Sequence, residues 1–492
     1  MTTVHRVLFP HPIPTLADYV EAGGGEGLEA ARQVEPDTLI AEIEASGLRG
    51  RGGAGFPTGT KWRTVAENRS TEEPASVVVN GAEGEPGTFK DRTILRTNPY
   101  EVVEGALIAA RAIGADGVIF GLKKSFGPEV QRVRDAVKEI ETAGWADGVE
   151  LVVVEGPSEY LYGEETALLE VIDGRHPFPR IAPPFRRGVK ENVETESDAE
   201  SESGLSAHVD MAGPGGEELA APTLVDNVET LANVPRIIAR GAAWFRTEGT
   251  EKSPGTIVCT VTGSTQRHGV GEVIMGTPLR EVIEEIGGGA RPGRHIKAVM
   301  VGVSNALLPA ALLDTPLTYE DMAAVGSGLG TGGFIVFDDT DDLVAVAAGV
   351  SRFLAVESCG QCTPCKQDGL ALADALAGLC RSAAPDGAVA TIESLASTVA
   401  DRSRCYLATQ HQAVVSSLFA KFPDEVRGHA GTNPGAAPTE PALIAELLDI
   451  EDGAAVIDAH HADKQPDWSF DETYSGKAPA DRLGDHRADT AV

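Results

Sequence analysis

The sequence predicts an α/β protein in successive parts: an open α/β domain over residues 1–245, a small α+β domain over 254–340, a helical bundle over 342–425 and an acidic, partly disordered tail over 426–492. Three observations carry this. Short β-branched runs alternate with helical stretches between residues 75 and 175, as in a parallel sheet covered by helices. Residues 254–340 mix further strand-like runs with one amphipathic stretch. Beyond Asp342 the apolar periodicity is helical almost throughout.

Taken in order, the helix from Pro36 to Ala45 has a residue suited to a first helical position, apolar Leu39, Ile40 and Ile43 at helical spacing, and a Ser46-Gly47 break. A glycine-rich loop follows. Val77 to Val79, Gly117 to Gly121 and Leu151 to Val154 read as buried strands, with helices at Val102 to Ile113 and from Glu164. Residues 190–221 interrupt the domain. Their stretch Glu191 to Glu202 carries six acids and one Val, too little apolar surface to order itself, and reads as a surface insertion. Strands are expected at Thr256 to Thr262, Lys297 to Val301 and Phe334 to Phe337, with a helix near Pro278 to Ile286. Helices are expected at Asp342 to Val356, Lys366 to Leu379, Ala388 to Ala400 and Gln410 to Phe422, and one more in the tail at Ala442 to Leu448.

Composition narrows the function classes. The 492 residues are 42% hydrophobic and 23% charged, as in a soluble globular protein. Against 74 acids stand 41 Lys and Arg, a net charge of −33, and only 12 of these cations are Lys. That field repels phosphate backbones and anionic lipid heads, so nucleic acid and bare membrane are excluded as partners. Acids occur along the whole chain, which favours a surface suited to concentrated salt over one ligand-attracting patch. Six cysteines are too few to staple a secreted protein of this length, and three fall within seven residues, which points to metal in a reducing compartment. No signal peptide is expected, and the longest apolar stretch, Leu343 to Val350, is far short of the ~20 residues that span a bilayer. The expectation is a cytoplasmic protein without direct membrane insertion, or one held at the inner face of the cell membrane through partner subunits.

The loop from Ser46 to Trp62 contains a literal G-x-G-x-x-G, Gly50-Arg51-Gly52-Gly53-Ala54-Gly55. A helix precedes it where a dinucleotide fingerprint needs a strand, so the ordinary Rossmann context fails. What remains is a backbone able to approach a flat or phosphorylated ligand, with Arg49, Arg51 and Lys61 for anionic groups and Phe56 for stacking. A second loop, Asn80 to Thr88, leaves the carboxyl end of the Val77 to Val79 strand, where open α/β sheets bind ligands. Asn80 can pair with a ring edge, and Glu83 or Glu85 can accept from ribose hydroxyls. Tyr160-Leu-Tyr-Gly163-Glu164-Glu165 is a second acidic motif entering a helix, where the macrodipole also favours carboxylates for structural reasons alone.

Cys359-Gly-Gln-Cys362-Thr-Pro-Cys365 can aim three sulfurs at one centre, the spacing of an iron–sulfur cubane. Zinc, which usually pairs two Cys-x2-Cys units, is the rival reading. A fourth ligand must come from elsewhere. Were Lys366 to Leu379 one helix, Cys380 would lie roughly 22 Å from Cys365, so Cys405 is preferred.

Together these motifs resemble a known family. The Gly47 to Trp62 loop, Glu83 to Arg92, Gly163 to Leu168, Pro183-Pro-Phe185, Asn227-Val-Glu-Thr-Leu231 and Glu357 to Cys365 are similar, in order, to the NADH-oxidising flavoprotein subunit of respiratory complex I, and to diaphorase subunits of NAD-linked hydrogenases and formate dehydrogenases. The resemblance implies a Rossmann-like FMN and NADH domain, a ubiquitin-like middle domain and a four-helix bundle holding a [4Fe-4S] cluster. It implies hydride transfer from NADH to FMN, then single electrons to the cluster, to a thioredoxin-like [2Fe-2S] subunit and further electron-transfer subunits, and ultimately to quinone. Carried over, the Gly50 to Gly55 loop, Lys61, Asn80, Glu83, Tyr160, Gly163, Glu164, Asn227 and Thr230 would surround FMN. Phe56, Glu85, Glu165 and Phe185 would hold NADH, with Glu85 and Glu165 nearest the chemistry, and Cys359, Cys362, Cys365 and Cys405 would bind the cluster. Two departures stand out: Ala82 where the family has Asp, and Asp226-Asn227 where it has Asn-Asn. The first makes Asn80 to Glu83 similar to the flavin subunit of the Rnf ferredoxin:NAD complex. A non-catalytic scaffold is the alternative from another class.

Overall fold

The computed structural model describes residues 4–69, 74–189, 221–382, 384–430 and 437–465. Of the expected insertion at 190–221, residues 190–220 lie outside the described residues, as does the end of the tail from residue 466.

The first sheet contains β1 (Ala75–Gly81), β2 (Ala115–Lys123), β3 (Glu150–Gly156) and β4 (Thr223–Asn227), all parallel, in the order β3-β2-β1-β4. Val77, Val78 and Val79 are all buried, because helices cover both faces of the sheet. The helix Pro99–Ile113 packs across Val228–Arg240 so closely that a Cβ on Gly105 would stand 2.1 Å from the Leu231 carbonyl oxygen. From β1 the chain crosses to β2 on one side and later returns to β4 on the other. The reversal opens a crevice at the carboxyl ends of β1 and β4, where such sheets bind ligands.

The second sheet is mixed. It contains β5 (Thr256–Gly263), β6 (Gly269–Ile274), β7 (Ile296–Val301), β8 (Leu308–Pro309) and β9 (Gly333–Asp338), in the order β6-β5-β9-β7-β8. The helix Leu279–Gly287 buries Leu279, Val282, Ile283 and Ile286 with Ile257, Val261 and Phe334 of that sheet. The third part is helical, with Leu343–Glu357, Gly369–Cys380, Ala388–Thr398 and Leu407–Lys421, then a short helix Pro423–His429. A π-turn, Pro364–Asp368, carries the last cysteine of the triplet into the second of these helices, and such turns cluster at functional sites.

The tail departs from expectation. Instead of a helix over Ala442 to Leu448, β10 (Leu447–Glu451) and β11 (Ala454–Ile457) form a hairpin. Its turn is Asp452-Gly453, both in left-handed conformation at φ 49° and 76°. Asp-Gly is the pair that tight hairpin turns select, and it outweighs the weak apolar period before it. Nor is the segment loose: it folds back along the molecule, and Glu446 accepts from Lys123 at 2.6 Å.

Candidate functional site

The glycine loop sits on the crevice between β1 and β4. A short backbone bridge closes its neck, with the Gly50 N–H donating to the Phe56 carbonyl at 2.8 Å. Gly52 lies against Asn227, and an added Cβ would come within 3.2 Å of that side chain. Gly55 has φ +63°, and a Cβ there would stand 2.3 Å from the Tyr319 ring. The loop is thus a thin backbone strip held against the strand ends, the shape a flat, phosphorylated group requires.

The residues around it fall into two kinds. Asn80 donates its amide to the Gly163 carbonyl at 2.8 Å, which ties the end of β1 to the Tyr160–Gly163 turn. Beside it Ala82 is buried, with its carbonyl 2.8 Å from where a Gly163 Cβ would stand. Lys61 bridges the crevice: its Nζ meets Glu165 at 2.7 Å and donates to the Val225 carbonyl at 2.6 Å. Burial alone would lower the Lys61 ammonium, yet Glu165 and Asp226 hold it above its ordinary range. Asp226 takes the Trp62 indole N–H at 2.8 Å, and burial pushes its carboxyl up to about 6.

Several expected ligands are instead engaged by the protein. Glu83 accepts the Asp91 and Arg92 N–H groups and the Arg92 guanidinium at 3.0–3.3 Å, capping the helix Lys90–Thr97. Glu164 caps Glu165–Ile172 through Thr166 and Ala167. Asn227 caps Val228–Arg240, accepts from Lys90 and donates to Asp91 at 2.7 Å. Thr230 accepts the Arg51 N–H at 2.8 Å. The side chain of Arg51 turns inward, reaching the Thr256 carbonyl at 2.9 Å and Glu229 at 3.8 Å. Arg49 donates to the Gly55 carbonyl and lies over the Tyr319 ring. The expected trio of ligand-facing cations is therefore corrected: burial with Glu229 consumes Arg51, and Lys61 stands paired with Glu165. Glu85 faces the second sheet, accepting from the Val303 N–H and the Thr331 hydroxyl; burial holds its carboxyl above the usual range. Phe56 is 53% exposed, whereas Phe185 packs on the main core.

Sequence reasoning missed Lys90, Asp91 and Glu229, which lie buried beneath the crevice. Lys90 meets Asp91 at 2.7 Å and Glu229 at 2.8 Å; burial, with the like charges of Glu83 and Glu229, pushes the Asp91 carboxyl up to about 6 against the opposing pull of Lys90. Their signal was Lys90-Asp91-Arg92 at the end of the Glu83 to Arg92 motif, where three successive charges face inward.

The second site is a small cavity lined by all four expected cysteines, with Leu161 of the Tyr160–Gly163 turn on its wall. Cys359 receives the Gln361 amide at 3.4 Å, and Cys365 lies 3.1 Å from the Ser358 hydroxyl. Cys380 is buried in the same apolar core as Cys359 and Cys365 but does not line the cavity, and Cys259 is buried in the core of the second sheet. Among the described residues, no three Cys, His, Asp or Glu side chains converge closely enough to hold one metal ion. Four thiols lining one cavity are the donor set that a cluster of several irons takes. Glu357, immediately before Ser358, was also missed: it accepts the Tyr160 N–H at 3.1 Å. The Tyr160 ring leans the same way, edge-on to Phe353, with its hydroxyl donating to Gln410.

Comparison with known proteins gives concordant matches. Residues 43–236 match the Nuo51 FMN-binding domain, and residues 345–429 match the NADH-ubiquinone oxidoreductase-F iron-sulfur binding region. The chain is 37% identical to the second NADH-quinone oxidoreductase-F protein of Rhizobium meliloti (strain 1021), over 72% of this chain and 79% of that one. It is 35% identical to the NADH-quinone oxidoreductase-F protein of Streptomyces coelicolor, over 84% of this chain and 88% of that one. Among solved structures it is similar to an NAD⁺-reducing [NiFe]-hydrogenase in the H2-reduced state, with a TM-score of 0.71 and 32% identity over 85% of this chain and 67% of the other.

Proposed function

Because this chain belongs to the NADH-quinone oxidoreductase-F family, we propose that its crevice and its cysteine cavity form one electron path from NADH toward quinone. The protein is an NADH-oxidising subunit with FMN and a [4Fe-4S] cluster. When bound, the flavin accepts a hydride and the cluster carries single electrons onward, chemistry that belongs to the cofactors themselves. The chain's residues bind and orient. The backbone of Gly50 to Gly55 would face the flavin, Asn80 and Gly163 would fix the strand end beneath it, and Lys61 with Glu165 would close the crevice. Phe56 and Phe185 would flank the nucleotide, with Glu85 at the side of the second sheet. Cys359, Cys362, Cys365 and Cys405 would hold the cluster.

One observation carries this reading: the single turn Tyr160–Gly163 touches both sites, holding Asn80 through Gly163 and lining the cysteine cavity with Leu161. A four-residue turn is a short separation, as electron transfer between two cofactors requires. The middle part we read as ubiquitin-like and the last as a four-helix bundle. Electrons would leave to a thioredoxin-like [2Fe-2S] subunit and others of a larger complex. Among the described residues no helix is long and apolar enough to cross a membrane, in keeping with attachment through such partners. The hydrogenase likeness favours a second reading, in which the same path runs toward NAD⁺ reduction.

The visible spectrum of anaerobically purified protein tests the cofactors. Flavin bands in the blue and a broad iron–sulfur absorbance that bleaches on adding NADH are expected. Absence of both would leave a scaffold.

A further inference from the structure

Residues 437–465 lie beyond both family-matched regions, the second of which ends at residue 429. They nevertheless touch every part of the molecule. Thr439 binds the Asp342 carboxylate at 2.7 Å at the start of the first bundle helix. Glu446 meets Lys123 at the end of β2, and the N–H of Ala455 donates to His268 beyond β5 at 2.7 Å. The segment then ends on Glu357. Lys464 Nζ and His461 Nε2 reach its Oε1 at 2.7 and 3.0 Å, while its Oε2 accepts the Tyr160 N–H at 3.1 Å. All three side chains are buried. Arg352 locks the approach by donating to the carbonyls of His461, Ala462 and Lys464 at 2.7–3.0 Å.

Glu357 is the last residue of the helix Leu343–Glu357 and stands two residues before Cys359. Its carboxylate is therefore a rivet between the Tyr160 turn on the flavin side and the cysteine turn on the cluster side. A buried carboxylate in this position would be an unbalanced charge beside the cluster without the Lys464 ammonium that the C-terminal segment brings. We propose that residues 437–465 are a clasp whose Lys464 and His461 act as positioning residues, fixing Glu357 and through it the Tyr160 turn and the Cys359 turn, and balancing the charge next to the cluster. This rests on the cluster assignment above.

The test uses full-length holoprotein carrying Lys464→Met, Glu357→Gln or both. Three results are expected. Amide exchange at Tyr160 rises at least about fivefold in each single variant, in loaded and iron-free protein alike, because its acceptor is released. The cluster's midpoint potential, read by titrating its reduced-state paramagnetic signal, falls in Lys464→Met, rises in Glu357→Gln and returns toward the unaltered value in the double variant. NADH:ferricyanide turnover, drawn from the flavin, stays within about twofold in Lys464→Met, whose side chain is outside the crevice. Lys464→Arg keeps Tyr160 protected. Should Lys464→Met fail to accumulate, His461→Gln, which removes the other hydrogen-bond partner of the same carboxylate oxygen, carries the Tyr160 exchange comparison. Unchanged Tyr160 exchange in the single variants, or shifts in potential that do not cancel in the double, would overturn the clasp. Protein lacking flavin and iron would sink the assignment beneath it, and Tyr160 exchange in that protein would still decide the clasp.

Discussion

The crevice and the cysteine cavity hold their groups in opposite ways. At the crevice the polar side chains are already spent: Glu83 and Asn227 cap helices, Arg51 is buried beside Glu229, and Thr230 takes a loop N–H. On the proposed reading the flavin would meet mainly backbone there, while these side chains build the scaffold. In the cavity the cysteine side chains themselves form the lining and would be the ligands. Burial pushes the Cys365 thiol up to about 11 and Cys405 up to about 12, so without metal they stay protonated and a cluster must displace their protons on binding. On this reading most motif residues of the first region would support, and those of the second would coordinate. Substitutions should separate the two.

The largest effect belongs to the cage. Cys405→Ser is expected to lose the cluster outright, while Cys380→Ser, at a thiol that is not part of the cavity lining, keeps it. Iron content and the broad visible absorbance decide, and equal iron in both variants would refute the ligand choice. Next comes the scaffold. Arg51→Met leaves Glu229 without one of its two buried cations, and loss of one partner of a buried pair costs about 3–5 kcal/mol. The expectation is a large fall in the urea midpoint, with flavin affinity near normal in whatever remains folded. Weak flavin binding with unchanged stability would mean that Arg51 faces the ligand after all.

What could be read from the sequence follows the same division. Val77 to Val79 and the Cys359 to Cys365 run are local patterns, and local patterns are legible. Whether Asn227 or Glu83 caps a helix or touches a ligand is not, because both tasks select the same short acceptor side chains at the same place. Arg51 read as ligand-facing since its partner Glu229 lies far along the chain, and only the fold shows that they meet. The clasp is illegible for the same reason: nothing near Lys464 points to Glu357. The hairpin at Asp452-Gly453 is a different case, for its turn signal was present and the apolar spacing of Ala442 to Leu448 obscured it.

A pH measurement sharpens the scaffold side. Burial raises the Asp226 carboxyl to about 6 from an ordinary 3.8, with Lys61 and Trp62 offsetting part of the rise. Between those values the folded chain keeps a proton that the unfolded chain has lost. Stability from this group is therefore full below pH 4 and falls as pH rises toward 6, by about 3 kcal/mol. Asp226→Asn keeps an acceptor for the Trp62 N–H and removes the titration, so its stability should change less than that of the unaltered protein across this window. Urea midpoints at pH 4, 5 and 6 check it, and parallel curves would show that Asp226 is ionised throughout.

The smallest effect on stability should come from Glu165, the one predicted side chain at the crevice whose carboxylate is neither a cap nor deeply buried. It is about one-third exposed and paired with Lys61 at 2.7 Å. Pairs at such exposure contribute under about 1 kcal/mol, so Glu165→Gln should leave the urea midpoint nearly unmoved. Removing its charge also frees Lys61 within the crevice, where an anionic dinucleotide is to bind. The KM for NADH in ferricyanide reduction should therefore shift by about tenfold, a change of roughly 1.4 kcal/mol in binding. A shift in KM without a shift in stability would make Glu165 the exception in its region, a side chain that acts on the ligand as the cysteines do. Unchanged kinetics would instead place it with Glu83 and Asn227, leaving the crevice bound by backbone alone.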